Sequence, residues 1–282
     1  MSQEKEIIQK EYSNNSGEDQ GSKNYRKYLE DTEVAKFYYS NHVNQTYDYV
    51  QKIKSEVFPL GRWQIDIMEV ISLLDEIVDK SDPDNDRKQI VHAIQTGEAC
   101  RKALPEYDWF HLMGFIHDLG KVLHHPRMHN LPQWLVVGDT FPLGCAFSNK
   151  CVYPDYFAEN SDSKNPLYST QLGIYQENIG FDNVQMSFGH DEYLYQVLKQ
   201  NQCLLPEEAL YVIRYHSFYP WHTHNAYEYL ASEKDKSFLT FLRTFQKCDL
   251  YSKVEEEVDI EKILPYYTGL IKKYFPSSNL SW

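Results

Sequence analysis

The sequence predicts an all-α fold: a single compact helical domain with long irregular loops. Three observations predict it. Stretches with apolar residues at helical spacing recur along the chain, bounded by caps and breakers. Apolar residues make up 42% of the composition, enough for a sizeable core. One long stretch, 131–183, is instead rich in Pro, Gly, Asn and Asp with little 3.6-residue periodicity. A loop-dominated segment of that length inside a compact domain tends to be functional.

Taken in order, residues 1–24 are polar and rich in Asn, Ser, Gly and Glu, and read as a disordered tail. The domain is expected over 25–282. Helices are expected at 34–57, 66–78, 87–104, 108–123, 190–200, 206–217, 236–254 and 261–274. Asp108 reads as a helix cap and Pro206 as a first-turn residue. Pro59-Leu60-Gly61, Pro105, Pro126 and Pro220 supply stops. There is no internal repeat.

The apolar stretch from Trp109 to Leu119 carries an adjacent His117 and Asp118, with Lys121 one turn later. Burying a carboxylate and an ammonium is expensive unless they are paired, and a metal with its ligand field supplies the pairing. On a helix, neighbouring side chains point about 100° apart. His117 and Asp118 can therefore chelate one cation, or the carboxylate can bridge two. His92 lies in a helical Ile90–Ile94 run, His190 begins a periodic run, and His216 ends one before Pro220. Asp249 falls on the stripe of Phe241 and Phe245, where a carboxylate asks for a counter-cation.

A single histidine in an apolar helix is more often a core residue bonded to backbone, but the His117-Asp118 doublet weighs against that reading here. Asp191 reads as a first-turn charge or an acceptor behind a ligand. His42, His111, His124, His125, His129, His222 and His224 are assigned to the surface or to roles behind the ligands. Four imidazoles and two carboxylates without sulfur suit iron, manganese or zinc.

The order His…His-Asp…His…His…Asp is the HD-domain pattern, and the surrounding words resemble the myo-inositol oxygenase family. They include Tyr107-Asp108-Trp109-Phe110-His111-Leu112, Val137-Gly138-Asp139-Thr140-Phe141-Pro142, Ser187-Phe188-Gly189-His190-Asp191-Glu192, and Tyr215-His216-Ser217-Phe218-Tyr219-Pro220-Trp221-His222. The resemblance runs from about Tyr25 to Trp282. The bare doublet is shared with phosphohydrolases; the longer words are far more specific. Only the segment 122–132 departs, looking longer and more basic, and it is expected as a solvent-facing loop.

The resemblance implies an HD-domain-like helical domain holding two iron ions, in a mixed-valent Fe(II)/Fe(III) state, with dioxygen as co-substrate. One iron would take His92, His117, Asp118 and Asp249; the other would take Asp118, His190 and His216. Lys121 matches a catalytic, substrate-contacting lysine. Arg26, Asp79, Lys80, Ser81, Asp82, Gly138, Asp139, His216 and Ser217 match further substrate contacts. Lys253, one turn past Asp249, is either a charge partner behind the ligands or a surface lysine. The implied reaction opens the ring of myo-inositol to D-glucuronate and water, the first step of inositol catabolism. The alternative is an HD-type metal-dependent phosphohydrolase.

With 41 acidic and 28 basic residues the net charge is −13, which argues against a nucleic-acid surface or a polyanionic substrate. A neutral polyol meets no such conflict. Five cysteines without a Cys-x-x-Cys pair suggest reduced thiols and a cytoplasmic protein. Neither a signal peptide nor a membrane span is legible, and a monomer is expected.

Overall fold

The computed structural model describes residues 32–77, 88–251 and 259–282. Arg26, Asp79, Lys80, Ser81, Asp82, Lys253 and the expected tail lie outside the described residues.

The described chain is mostly helical, as predicted, but several elements are cut differently. The expected helix at 34–57 is two: α1, Glu33–Asn44, and α2, Tyr47–Val57. The break occurs because Thr46 caps α2, accepting from the Tyr49 N–H. Gln45 then turns its amide inward, to the carbonyl of Phe188 and the Phe188 N–H. The expected helix at 66–78 begins as a short strand, β1 (Gln64–Asp66), before α3 (Ile67–Leu74), with Asp66 capping α3. β1 pairs antiparallel with β2, Asn279–Ser281, in the register Gln64↔Ser281. Three residues per strand are too few to leave a clear alternation in the sequence.

α4, Gln89–Ala103, packs against α5, Asp108–Ile116. Close approach depends on glycine: a methyl at Gly114 would sit 2.7 Å from Cys100 Sγ and 3.3 Å from the Gly97 Cα. Asp108 is the first residue of α5 rather than its cap, and its carboxylate accepts from Lys273 and Tyr274 at 2.5 Å each. α5 also stops earlier than expected. It ends at Ile116, and Leu119–His124 forms a 3-10 turn. The segment from 131 to 183 is largely irregular, with α6 at Gln133–Val136 and several 3-10 turns.

α7, His190–Gln200, α8, Glu207–Tyr215, the short α9, Tyr219–His222, and α10, Glu233–Tyr251, complete the set around the site. Pro206 precedes α8 rather than lying in its first turn. α11, Ile260–Tyr274, covers α4 and α5 from outside. The core is strongly aromatic, with Trp282, Tyr38, Tyr193, Tyr215, Phe110, Phe115 and Phe245 among its most buried side chains. No helix among the described residues is long and apolar enough to cross a membrane.

The basic segment after Lys121 is not the solvent-facing loop expected of it. His125 is buried and meets Glu76 at 3.1 Å, His124 Nδ1 meets the Leu131 carbonyl, and His129 lies edge-on to Trp63. His42 and His111 are likewise buried core residues rather than surface ones.

Candidate metal centre

The site is built from helix ends. His92 comes from the first turns of α4, and Asp249 from the last turn of α10. His117 is the residue that terminates α5, and Asp118 follows it into the 3-10 turn that carries Lys121. His190 is the first residue of α7, and His216 terminates α8. A helix that ends leaves backbone carbonyls without partners. His117 and His216 use this directly: each donates Nδ1–H to the carbonyl three residues back, Gly114 and Ile213, at 2.8 Å. His190 donates Nδ1–H to the Val136 carbonyl at 2.9 Å. A carbonyl only accepts, so Nδ1 carries a proton in all three rings and Nε2 faces inward.

Asp118 stands at the centre. Its Oδ2 lies 3.3 Å from His117 Nε2 and 3.5 Å from His92 Nε2. Its Oδ1 lies 3.2 Å from His190 Nε2 and 3.8 Å from His216 Nε2. Asp249 Oδ1 joins the first group, 3.1 Å from His92 Nε2 and 3.6 Å from His117 Nε2. Two clusters with metal-ligand spacing therefore share one carboxylate: His92, His117 and Asp118, and Asp118, His190 and His216. All six predicted ligands are brought together. Lys121 Nζ lies 2.8 Å from Asp118 Oδ2.

The two buried carboxylates are held charged by the groups around them. Burial works against charge on Asp118, yet His117 and Lys121 beside it hold its carboxyl well below the usual range. Asp249 is lowered too: burial opposes its charge, and His92 and His117 outweigh burial. Burial disfavours a charged His92 ring, but the two carboxylates raise its pKa to about 9. His216 goes the other way: burial, then His190 and His117, push it well below the ordinary histidine range. Its Nε2 nevertheless sits 3.1 Å from His190 Nε2. The two atoms meet at that distance across a shared proton or a metal ion: burial opposes charge on His190, yet Asp118 raises its pKa, so its Nε2 can carry that proton when no metal is bound. A metal bound by neutral imidazoles and carboxylates takes the place of that proton, and this hard-to-intermediate donor set fits iron.

A family model described as Myo-inositol oxygenase matches residues 31–282. The chain belongs to the myo-inositol oxygenase family. Membership in the myo-inositol oxygenase family makes it an oxygenase. It is 52% identical to a probable inositol oxygenase of Oryza sativa subsp. japonica, over 92% of this chain and 85% of that protein. It is 50% identical to the inositol oxygenase of Dictyostelium discoideum, over 88% of this chain and 86% of that protein. It is also 50% identical to the human inositol oxygenase, over 86% of this chain and 84% of that one.

Other predicted residues of this myo-inositol oxygenase family member fall nearby in the fold. Asp139 is buried and accepts from the Tyr38 hydroxyl at 3.1 Å. Gly138 before it holds a φ of +96°, a conformation that glycine enters without strain. Ser217 is buried, and its carbonyl accepts from the Thr140 N–H, tying the Gly138-Asp139 loop to the end of α8. Asp191 is a first-turn acid of α7, as expected, and is fully buried.

Sequence reasoning missed three supports. Gly120 lies so close to the His190 carbonyl that a methyl there would collide with it. Gln45 holds the segment before His190, and nothing marks it in the sequence, where it stands between polar Asn44 and Thr46. His222 Nε2 donates to the His216 carbonyl at 2.9 Å, whereas the sequence offers His222 only a place at the surface or behind the ligands, with no partner named.

Proposed function

We propose that the ring cleavage of myo-inositol with dioxygen, to D-glucuronate and water, runs at this carboxylate-bridged pair of clusters. The observation that carries the reading is the orientation of Asp118, with Oδ2 toward His92 and His117 and Oδ1 toward His190 and His216. Two irons per chain are proposed, one with His92, His117, Asp118 and Asp249, the other with Asp118, His190 and His216. A mixed-valent pair, when bound, supplies a Lewis-acidic site for the polyol and an electron for dioxygen.

The residues supply the rest. Three protein ligands on the second iron leave room for substrate oxygen atoms. Lys121 places an ammonium against Asp118 Oδ2, inside the bridged site, where it would favour a substrate hydroxyl as its alkoxide. Asp118, paired with Lys121, balances the charge. Asp139 and Ser217 orient hydroxyls, with Gly138 allowing the backbone to approach. Arg26, Asp79, Lys80, Ser81 and Asp82 are proposed as further polyol contacts, and Lys253 as a charge partner behind Asp249. The buried surroundings exclude bulk water, which protects reactive species from side reactions.

A cytoplasmic monomer is proposed; all five cysteines are free thiols, which supports a reducing compartment. A phosphohydrolase is not favoured, because the family match points to oxygenase chemistry. The test is reconstitution with ferrous iron, then myo-inositol and air, following glucuronate and oxygen uptake together. Zinc-loaded protein without oxygen should be inactive. Phosphatase activity in that sample, with no glucuronate from the iron form, would overturn the reading.

A further inference from the structure

The Tyr107-Asp108-Trp109-Phe110 word has no part in the site described above, yet its rings lead away from it. For His117, His190 and His216, Phe245 is the one ring contact outside the histidines among the described residues. It lies 5.1 Å from His117 and 5.9 Å from His216, centroid to centroid. Phe245 meets Phe110 at 6.5 Å, Phe110 meets Trp109 at 5.6 Å, and Trp109 meets Tyr107 at 5.8 Å. Phe241 braces Trp109 at 5.4 Å. Phe245 and Phe110 are fully buried, whereas Trp109 and Tyr107 are half-buried.

The order of ring types matters. Phenylalanine is hard to oxidise, and indole and phenol are the most easily oxidised aromatic side chains. An indole against the ligands would compete with substrate for every oxidising equivalent. Here the ring at the centre is Phe245, and the first oxidisable ring is Trp109, beyond Phe110.

We propose that Phe245, Phe110, Trp109 and Tyr107 form an escape route for oxidising equivalents left at the centre by unproductive dioxygen reduction. The inference rests on the proposed metal site. In each event one electron leaves the Trp109 indole and, with a proton from water, takes the dioxygen-derived oxidant one step toward water. The indole N–H proton passes to solvent, leaving a neutral radical. Tyr107 refills Trp109 by giving up its own phenolic hydrogen. A thiol reductant in solution then returns a hydrogen atom, and two spent thiols join as a disulfide.

The experiment is peptide mass spectrometry of the iron-loaded protein held in air without inositol and without thiol. Oxygen adducts are expected at Trp109 and Tyr107, several-fold above those at Trp63 and Trp134, which are also half-buried. Adding inositol, or replacing iron with zinc, should suppress them. Trp109→Phe keeps an aromatic ring in place, so it should retain iron and coupled glucuronate formation. Without inositol its adducts should move inward, to Phe245, His117 or His216, and it should inactivate several-fold faster. Tyr107→Phe should leave Trp109 adducts in place and raise their yield. Adducts spread equally over Trp63, Trp134 and Trp109, or unmoved in Trp109→Phe, would overturn the route. Iron content and glucuronate measured on the same samples separate that failure from failure of the metal site itself.

Discussion

Asp118 is the residue on which most of the chemistry turns, because its two oxygens face different imidazole groups. Asp118→Ala should cost both metals, and elemental analysis checks it; two irons per chain retained would contradict bridging. Lys121 lies 2.8 Å from Asp118 but has no lone pair to offer a metal while it is charged. Lys121→Ala should keep its iron and lose turnover by about a hundredfold or more, the scale of acid–base assistance. Steady-state glucuronate formation, beside iron content, checks that split. At this scale the sequence was informative for ligands, since a buried carboxylate or imidazole in an apolar stretch stands out. It was uninformative for supports such as Gln45 and Gly120, whose roles arise from contacts with residues far away in the chain.

At the scale of elements, the site depends on where helices stop. The sequence reads 108–123 as one helix because its apolar residues continue, but α5 ends at Ile116 and a 3-10 turn takes over. Periodicity cannot report this, since the turn is as apolar as the helix. The split between α1 and α2 was equally hidden, because Thr46 is an ordinary polar residue until its hydroxyl caps a helix. Thr46→Ala should lower stability by about 1 kcal/mol in urea unfolding, with activity retained. Gly120→Ala should do something different. Its methyl would force the 3-10 turn away from the start of α7, separating Asp118 from His190. Loss of one iron of the pair, with a folded circular dichroism spectrum, is the expected outcome.

At the scale of the molecule, the long irregular segment and the helical core were legible from composition and period alone. The β1–β2 pair was not, although it anchors Trp282: the indole donates to the Ile65 carbonyl, and the backbone bonds Trp63 in both directions. Trp282→Ala should cost about 3–5 kcal/mol, the range for emptying a buried aromatic site, and lower the melting temperature accordingly. Metal removal acts on the same balance. Five helices and a turn meet at the carboxylates and imidazoles that a metal would tie together. Chelation should therefore lower the unfolding free energy by about 3 kcal/mol, as for a ligand near a hundredfold above its dissociation constant. Urea titrations with and without iron measure it.

His117 and His216 each close the last turn of their own helix with the nitrogen opposite the one that faces the cluster. Fraying and ligation are therefore linked processes. When the end of α5 or α8 opens, the proton on Nδ1 loses its acceptor, the ring is free to change tautomer or rotate, and the donor atom is lost. Conversely, a cation held at Nε2 clamps the turn shut. Amide hydrogen exchange near Gly114 and Ile213 should slow on metal loading by the same factor by which opening weakens metal binding, so that a measurement on the backbone reads the affinity of a site several bonds away.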